Sequence, residues 1–242
     1  AARAADGRNN TTFFRVLGAA AAVVAQILLW LTACYYAPLP ALLWLILGIC
    51  GWGCISLNAA ANDPRIKAVV ASTMYDMPRI GAWGYNDSGT ADDRYRAKQE
   101  IADLRTSEYA AGLTKHAFTT IPVDQLTGKE PAFVRQYSEY YKAPRGYHPR
   151  SVNSNLGWMQ QAMTGWMNNA ILSHPEDLRA PVLIVHGEKA HSRYMGEDIY
   201  RRLKGDNKQL LIVPGATHTD LYDQTDKIPF DRIADFYRTN LK

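Results

Sequence analysis

Three short stretches concentrate the side chains able to do acyl or proton chemistry: GICGWGC (48–54), HGEKAHS (186–192) and PGATH (214–218). A nucleophile on a tight strand-to-helix turn needs a base to take its proton and a third group to orient that base. The first stretch has the shape of such a turn, yet it sets Trp52 among its glycines. The pattern small-x-nucleophile-x-small tolerates little bulk on its flanks. If Cys50 and Cys54 are the small residues, Trp52 is the tip and Gly53 follows it. Indole offers no nucleophile. In the other register Gly48-Ile49-Cys50 opens the turn, and Cys50 is a thiol activated by a base and by the helix N-terminus. Trp52 then falls on the second small position, where its bulk should clash. Both registers are open at this level.

The elements that would position these residues follow from periodicity. ALLWLILGIC is apolar on both faces, as a central parallel strand is when helices cover both sides, and ISLNAAAN is a short Ala-rich helix. Asp63-Pro64-Arg65 ends it, and Ile66 to Thr73 is a β-branched strand, completing a right-handed βαβ unit. From about Pro78 to Ala180 the chain lacks strand patterning and carries helical stretches such as ADDRYRAKQEIADLR and EPAFVRQYSEYYK. Alternation then resumes with strand Pro181–His186, helix Tyr194–Leu203 and strand Gln209–Val213. An amphipathic helix, Pro229–Asn240, closes the chain with Phe230, Ile233, Phe236 and Tyr237 on one face. Sites in open parallel sheets form at the strands' C-terminal ends. The imidazole of His218 is therefore expected to face the bend around positions 50 to 54.

An elbow, then an acid after a later strand, then a histidine after the last strand is the order of parts in α/β-hydrolases. IKAVVASTMYDM, YYKAPRGYHPRSVNSN, GEKAHSRY, VPGATHTDLYD and IPFDRIADFY carry the likeness. On these segments, residues from about 47 to 242 resemble bacterial α/β-hydrolases related to dienelactone hydrolases. The resemblance implies an α/β-hydrolase-like, mostly parallel sheet, with a helical cap inserted at about 78–180, acting on ester, lactone or related acyl bonds. It implies His218 as general base. The family's usual Gly-x-x-Asp spacing lands on Ala190, so the acid is Glu188, or Asp76 after the strand IKAVVASTM, or neither. Tyr75, Tyr147 and His148, with Tyr85, Arg150 and Asn153, are candidates to line the pocket, and Asp220 and Asp223 are read as solvated. The family's early strands, and the second oxyanion donor they carry, have no counterpart in residues 1–46, so the sheet is expected to be truncated on that side.

Composition narrows the classes. The 242 residues suffice for one core, and 27 Lys+Arg against 23 Asp+Glu give a net charge of +4, too mild and dispersed for nucleic acid. Three cysteines, Cys34, Cys50 and Cys54, cannot frame the fold with disulfides, which suits a reducing, cytoplasmic setting. No closely spaced Cys/His pairs suggest a metal, and no phosphate-binding glycine loop suggests a cofactor. Residues 1–46 stand apart: from Val16 to Asn62 there is no Asp, Glu, Lys or Arg. VLGAAAAVVAQILLWLTA has the length of a spanning helix or signal segment, and Leu31-Thr32-Ala33-Cys34 resembles a lipidation box. Membrane association through residues 16–34 is thus an alternative to a buried helix. Three functions follow: an acyl hydrolase acting on a small acyl or lactone substrate, a non-catalytic protein of the same fold that binds such a ligand, and a membrane-attached protein.

Overall fold

The computed structural model describes residues 45–241 except 115 and 118. The apolar run 16–34 and Cys34 lie outside the described residues. In chain order the elements are β1 (Leu45–Ile49), α1 (Gly51–Asn62), β2 (Ala68–Ser72), α2 (Met77–Trp83), α3 (Ala91–Ala111), β3 (His116–Ala117), α4 (Ala132–Tyr141), α5 (Val152–Leu156), β4 (Trp158–Met159), α6 (Met163–Met167), β5 (Val182–Gly187), α7 (Arg193–Arg202), β6 (Lys208–Val213), α8 (Asp220–Asp223) and α9 (Phe230–Asn240).

The main sheet is four-stranded, in the order β1-β2-β5-β6, and every pairing in it is parallel. The register aligns Ile49 with Ser72, Ser72 with Val185, and Gly187 with Val213. All four C-terminal ends therefore open on one edge, as the sequence predicts. AVVAS and VLIVHG are buried along their whole length, because helices cover both faces of the two inner strands. Around them pack Leu57, Met74, Leu172, Ile199 and Leu203, all essentially inaccessible. Each such side chain contributes roughly 1.5–3 kcal/mol. β1, expected to be central, is the margin of the described sheet, and Leu47 and Ile49 on it are 48% and 36% exposed.

Between β2 and β5 the chain is helical apart from one departure. His116–Ala117 pairs antiparallel with Trp158–Met159. Strands of two residues are too short to show a period-2 alternation, which is why the sequence reads as strand-free there. α3 starts on a capping box of Thr90 and Asp93 and stops at Gly112, whose φ of 63° provides the left-handed cap. In α9 the buried face is Ile233 and Phe236, and the Tyr237 hydroxyl donates to the Ile46 carbonyl at 2.6 Å. Phe230, read as part of that face, is exposed because it is the first helical residue. Among the described residues no helix is long and apolar enough to cross a membrane.

Candidate active site

The turn after β1 settles its own register. Cys50 has φ 56° and ψ −127°, a conformation that non-glycine residues rarely adopt, and it caps α1. Its N–H donates to Ser72 O at 3.1 Å, and its carbonyl accepts from Gly53 N and Tyr75 N, each at 2.9 Å. A Cβ on Gly48 would stand 2.4 Å from the Trp52 carbonyl and 2.7 Å from Gly53 Cα; one on Gly53 would stand 3.0 Å from Met74 Cβ. The close crossing of strand and helix is thus made by Gly48 and Gly53. Trp52 is not the tip. It lies in the first turn of α1 with its indole turned to solvent, 73% exposed, so the anticipated clash does not arise. Cys54 is buried in the helix beside Asp76.

Burial raises the pKa of the Cys50 thiol above its ordinary value, opposed by hydrogen bonds from the Tyr222 hydroxyl and the Gly51 backbone. At neutral pH the resting group is a thiol.

His218 reaches the same place from the far strand. Gly187 lets the loop after β6 pass close over β5, since a Cβ there would meet Ala216 O at 2.3 Å. Lys189 N donates to that carbonyl at 2.8 Å, and Thr73 Oγ1 at the end of β2 donates to His218 O at 3.4 Å. The ring is fully buried. Nδ1 lies 2.7 Å from Ser192 Oγ and Nε2 lies 2.9 Å from the Tyr222 hydroxyl. Desolvation, reinforced by His191 and His186, holds its pKa well below the usual imidazole range. The imidazole is therefore neutral, and its surroundings disfavour the imidazolium form.

Neither expected carboxylate bonds the imidazole. Glu188 is exposed and caps the next loop, accepting from Gly215 N at 2.7 Å. Asp76 caps α2, accepting from Arg79 N at 2.9 Å, and burial raises its pKa. Each has its lone pairs drawn to orphan backbone donors nearby. Ser192 occupies the orienting position on Nδ1 instead.

Of the expected pocket residues, Tyr75 is at the site. It is buried, its hydroxyl bonds that of Tyr85, and its ring meets His218 edge-on at 6.0 Å. Tyr147, His148, Arg150 and Asn153 are not. They are solvent-exposed residues of the polar turn after α4 and of α5, where His148 Nδ1 merely accepts from Arg150 N. The wall they were expected to form comes from α4 and the loop after β5. Phe133 stacks on His191 at 4.5 Å and 17°, while Tyr137 approaches His191 at 5.4 Å and His218 at 5.5 Å. Tyr222, Ser192, His191, Phe133 and Tyr137 were missed. The available signal was spacing: Tyr222 follows His218 by one helical turn, and Phe133 and Tyr137 share a face of α4. Asp220 and Asp223 are not merely solvated. Lys227 lies 2.8 Å from Asp220 and Arg145 lies 2.6 Å from Asp223, and Arg145 also donates to Thr219 O at 3.0 Å. These contacts fix the histidine loop to the segment after α4. Two surface concavities, of about 910 Å³ along α3 and about 560 Å³ between α2, α6 and α7, are lined by neither Cys50 nor His218.

This sheet, with a strained turn and a histidine loop at its C-terminal edge, is the α/β-hydrolase fold. The α/β hydrolase GrgF of Penicillium superposes with a TM-score of 0.55 at 17% identity, over 81% of this chain and 63% of that one. The chain is similar in particular to the uncharacterized protein PA2218 of Pseudomonas aeruginosa, 46% identical over 197 residues. The solved structure of that protein gives a TM-score of 0.74 over 80% of this chain and 60% of that one. The uncharacterized protein YcjY of Escherichia coli is 29% identical over 178 residues, 73% of this chain and 56% of that protein. No family model matches the sequence. The chain spans about half the length of the curated relatives it matches, 52% and 56%.

Proposed function

We propose that this protein is an acyl hydrolase in which Cys50 is the nucleophile and His218 the general base, acting on ester, lactone or related acyl bonds in the manner of dienelactone hydrolases. The observation that carries the reading is Cys50 held at φ 56° on the turn, its N–H on Ser72 O, beside Thr73, whose hydroxyl holds the His218 carbonyl, so that turn and histidine loop meet at the end of β2. The thiol attacks the acyl carbonyl and the proton passes to the imidazole. The leaving alkoxide recovers that proton, and water then releases the acyl group from sulfur. Gly51 N–H, following the nucleophile, is placed to serve as one oxyanion donor. The helices between β2 and β5 act as the cap that excludes water, and the reaction favours activated esters because no carboxylate stabilises the imidazolium.

A panel of aryl esters and lactones tests this, with Cys50→Ala as control. Turnover lost in Cys50→Ala is expected; turnover that survives it would refute the assignment. Alkylation of Cys50 by iodoacetamide is expected to rise with pH up to and beyond 9, because the raised thiol pKa leaves little thiolate at neutrality. Ser192 in place of a carboxylate favours a second reading, a binding protein of the same fold that holds an acyl or aromatic ligand without turnover. Ligand-induced protection of Cys50 from alkylation, with no hydrolysis of any ester, would decide for it.

A further inference from the structure

Beside His218 lies a second imidazole, that of His191, in a slot built of other rings. His191 belongs to the loop between β5 and α7 and is half-buried, so the slot reaches solvent. Its ring stands 4.8 Å from that of His218 and stacks on Phe133 of α4 at 4.5 Å and 17°. The rings of Tyr75, Tyr85 and Tyr137 meet it at steeper angles, 58°, 54° and 82°, at 5.9, 5.9 and 5.4 Å. One stacked neighbour and several edge-on or tilted ones are the surroundings that a flat conjugated ring prefers. Tyr75 also ties the slot to the strained turn, since its N–H donates to the Cys50 carbonyl at 2.9 Å.

Imidazole is a poor occupant of this slot. Nδ1 is buried and bonds no described protein group, and Nε2 has only the Tyr137 hydroxyl at 3.4 Å, long for a hydrogen bond. A buried polar atom without a partner carries a desolvation cost that a ring of carbon does not. Burial holds the His191 pKa down to about 4, so the side chain that would move out at neutral pH is uncharged. Water then satisfies both nitrogens.

We infer that this slot is the subsite for a planar aromatic ring carried by the substrate, and that His191 holds the place until such a ring displaces it. It rests on the reading of the Cys50 and His218 edge as an acyl-transfer site and names a substrate class for it, esters or lactones that bear an aromatic ring. His191 is then a specificity-determining residue. A flat ligand binds only the fraction of molecules whose slot is empty, and its apparent affinity is lowered by that fraction. Removing the imidazole should therefore strengthen binding of such a ligand.

Phenol and cyclohexanol, alike in size and in their hydroxyl but flat and puckered respectively, serve as probes. Binding is followed by NMR of the His191 ring protons, which the face of Phe133 shifts upfield. In the wild type, phenol is expected to move them toward the positions of a free imidazole, and cyclohexanol to leave them in place. His191→Ala is expected to bind phenol about tenfold or more tightly than the wild type, and Phe133→Leu added to it to lose that gain. Equal phenol affinity in wild type and His191→Ala, equal affinity of His191→Ala for the two probes, or no phenol binding by either protein would overturn the subsite. So would His191 protons that keep their positions when phenol binds the wild type, a result that needs no variant to fold. Phenol displacing His191 with no ester hydrolysed would leave the subsite standing and refute the hydrolase reading; ester turnover lost in Cys50→Ala, with no phenol in the slot, would do the reverse.

Discussion

A side chain with φ near +56° and ψ near −127° is stored strain, on the order of 1–3 kcal/mol at a non-glycine residue. Cys50 carries it, which separates what the position does for stability from what it does for chemistry. Glycine adopts that backbone freely, at an entropic cost of roughly 0.5–1 kcal/mol. Cys50→Gly is therefore expected to raise the urea midpoint by an amount equivalent to about 1 kcal/mol while abolishing labelling at position 50. A lower midpoint would mean that the turn is not strained. The sequence presented Cys50 and His218 plainly as chemical types. It hid Ser192 and Tyr222, because a hydroxyl gains its role only from the ring it meets, and those meetings span 26 and 4 residues.

At the scale of the element, β1, its turn and α1 form a unit whose tolerance is set by two glycines. Gly48→Ala drives a methyl into the backbone of Trp52 and is expected to destabilise by about 2–3 kcal/mol or more. Trp52→Ala is expected to shift stability by less than about 0.5 kcal/mol, since the indole stands in water. Equal effects at both positions, measured by thermal melts, would contradict the register described above. The strands and the parallel order were legible because buried parallel strands are uninterrupted apolar runs. The register of the turn was not, because one glycine more or less leaves the pattern unchanged in sequence and moves the tip by two residues in space.

For the whole molecule, three buried or half-buried histidines stand at the C-terminal side of the sheet. His186 is pushed down to about 3, by burial first and by His191 and Arg193 next; His191 is pushed down to about 4 by burial, and His218 lies well below 6.5. A folded pKa below the unfolded value near 6.5 means that the unfolded chain takes up protons first as pH falls. Stability is then complete above about 6.5 and is lost between there and roughly 3–4, at up to about 1.4 kcal/mol per pH unit for each histidine. Asp76, raised by burial, opposes this with one group. The urea midpoint is expected to fall steadily from pH 7 to pH 5. His186 is the informative variant, because neither of its ring nitrogens bonds a described protein group. His186→Leu should match or exceed wild-type stability at pH 7 and flatten the acid slope. An unchanged slope would assign the acid sensitivity elsewhere.

The Arg145 contacts carry a last consequence. The Cys50 thiol is half-buried, and the segment after α4 is clasped to the histidine loop by an ion pair whose side chains are 27% and 32% exposed. Mobile ions screen such a pair within a Debye length of about 8 Å at physiological strength and about 3 Å in molar salt. Brine should loosen the latch, so an uncharged alkylating reagent would enter faster in 1 M sodium chloride than in dilute buffer, and Arg145→Ala should remove that difference.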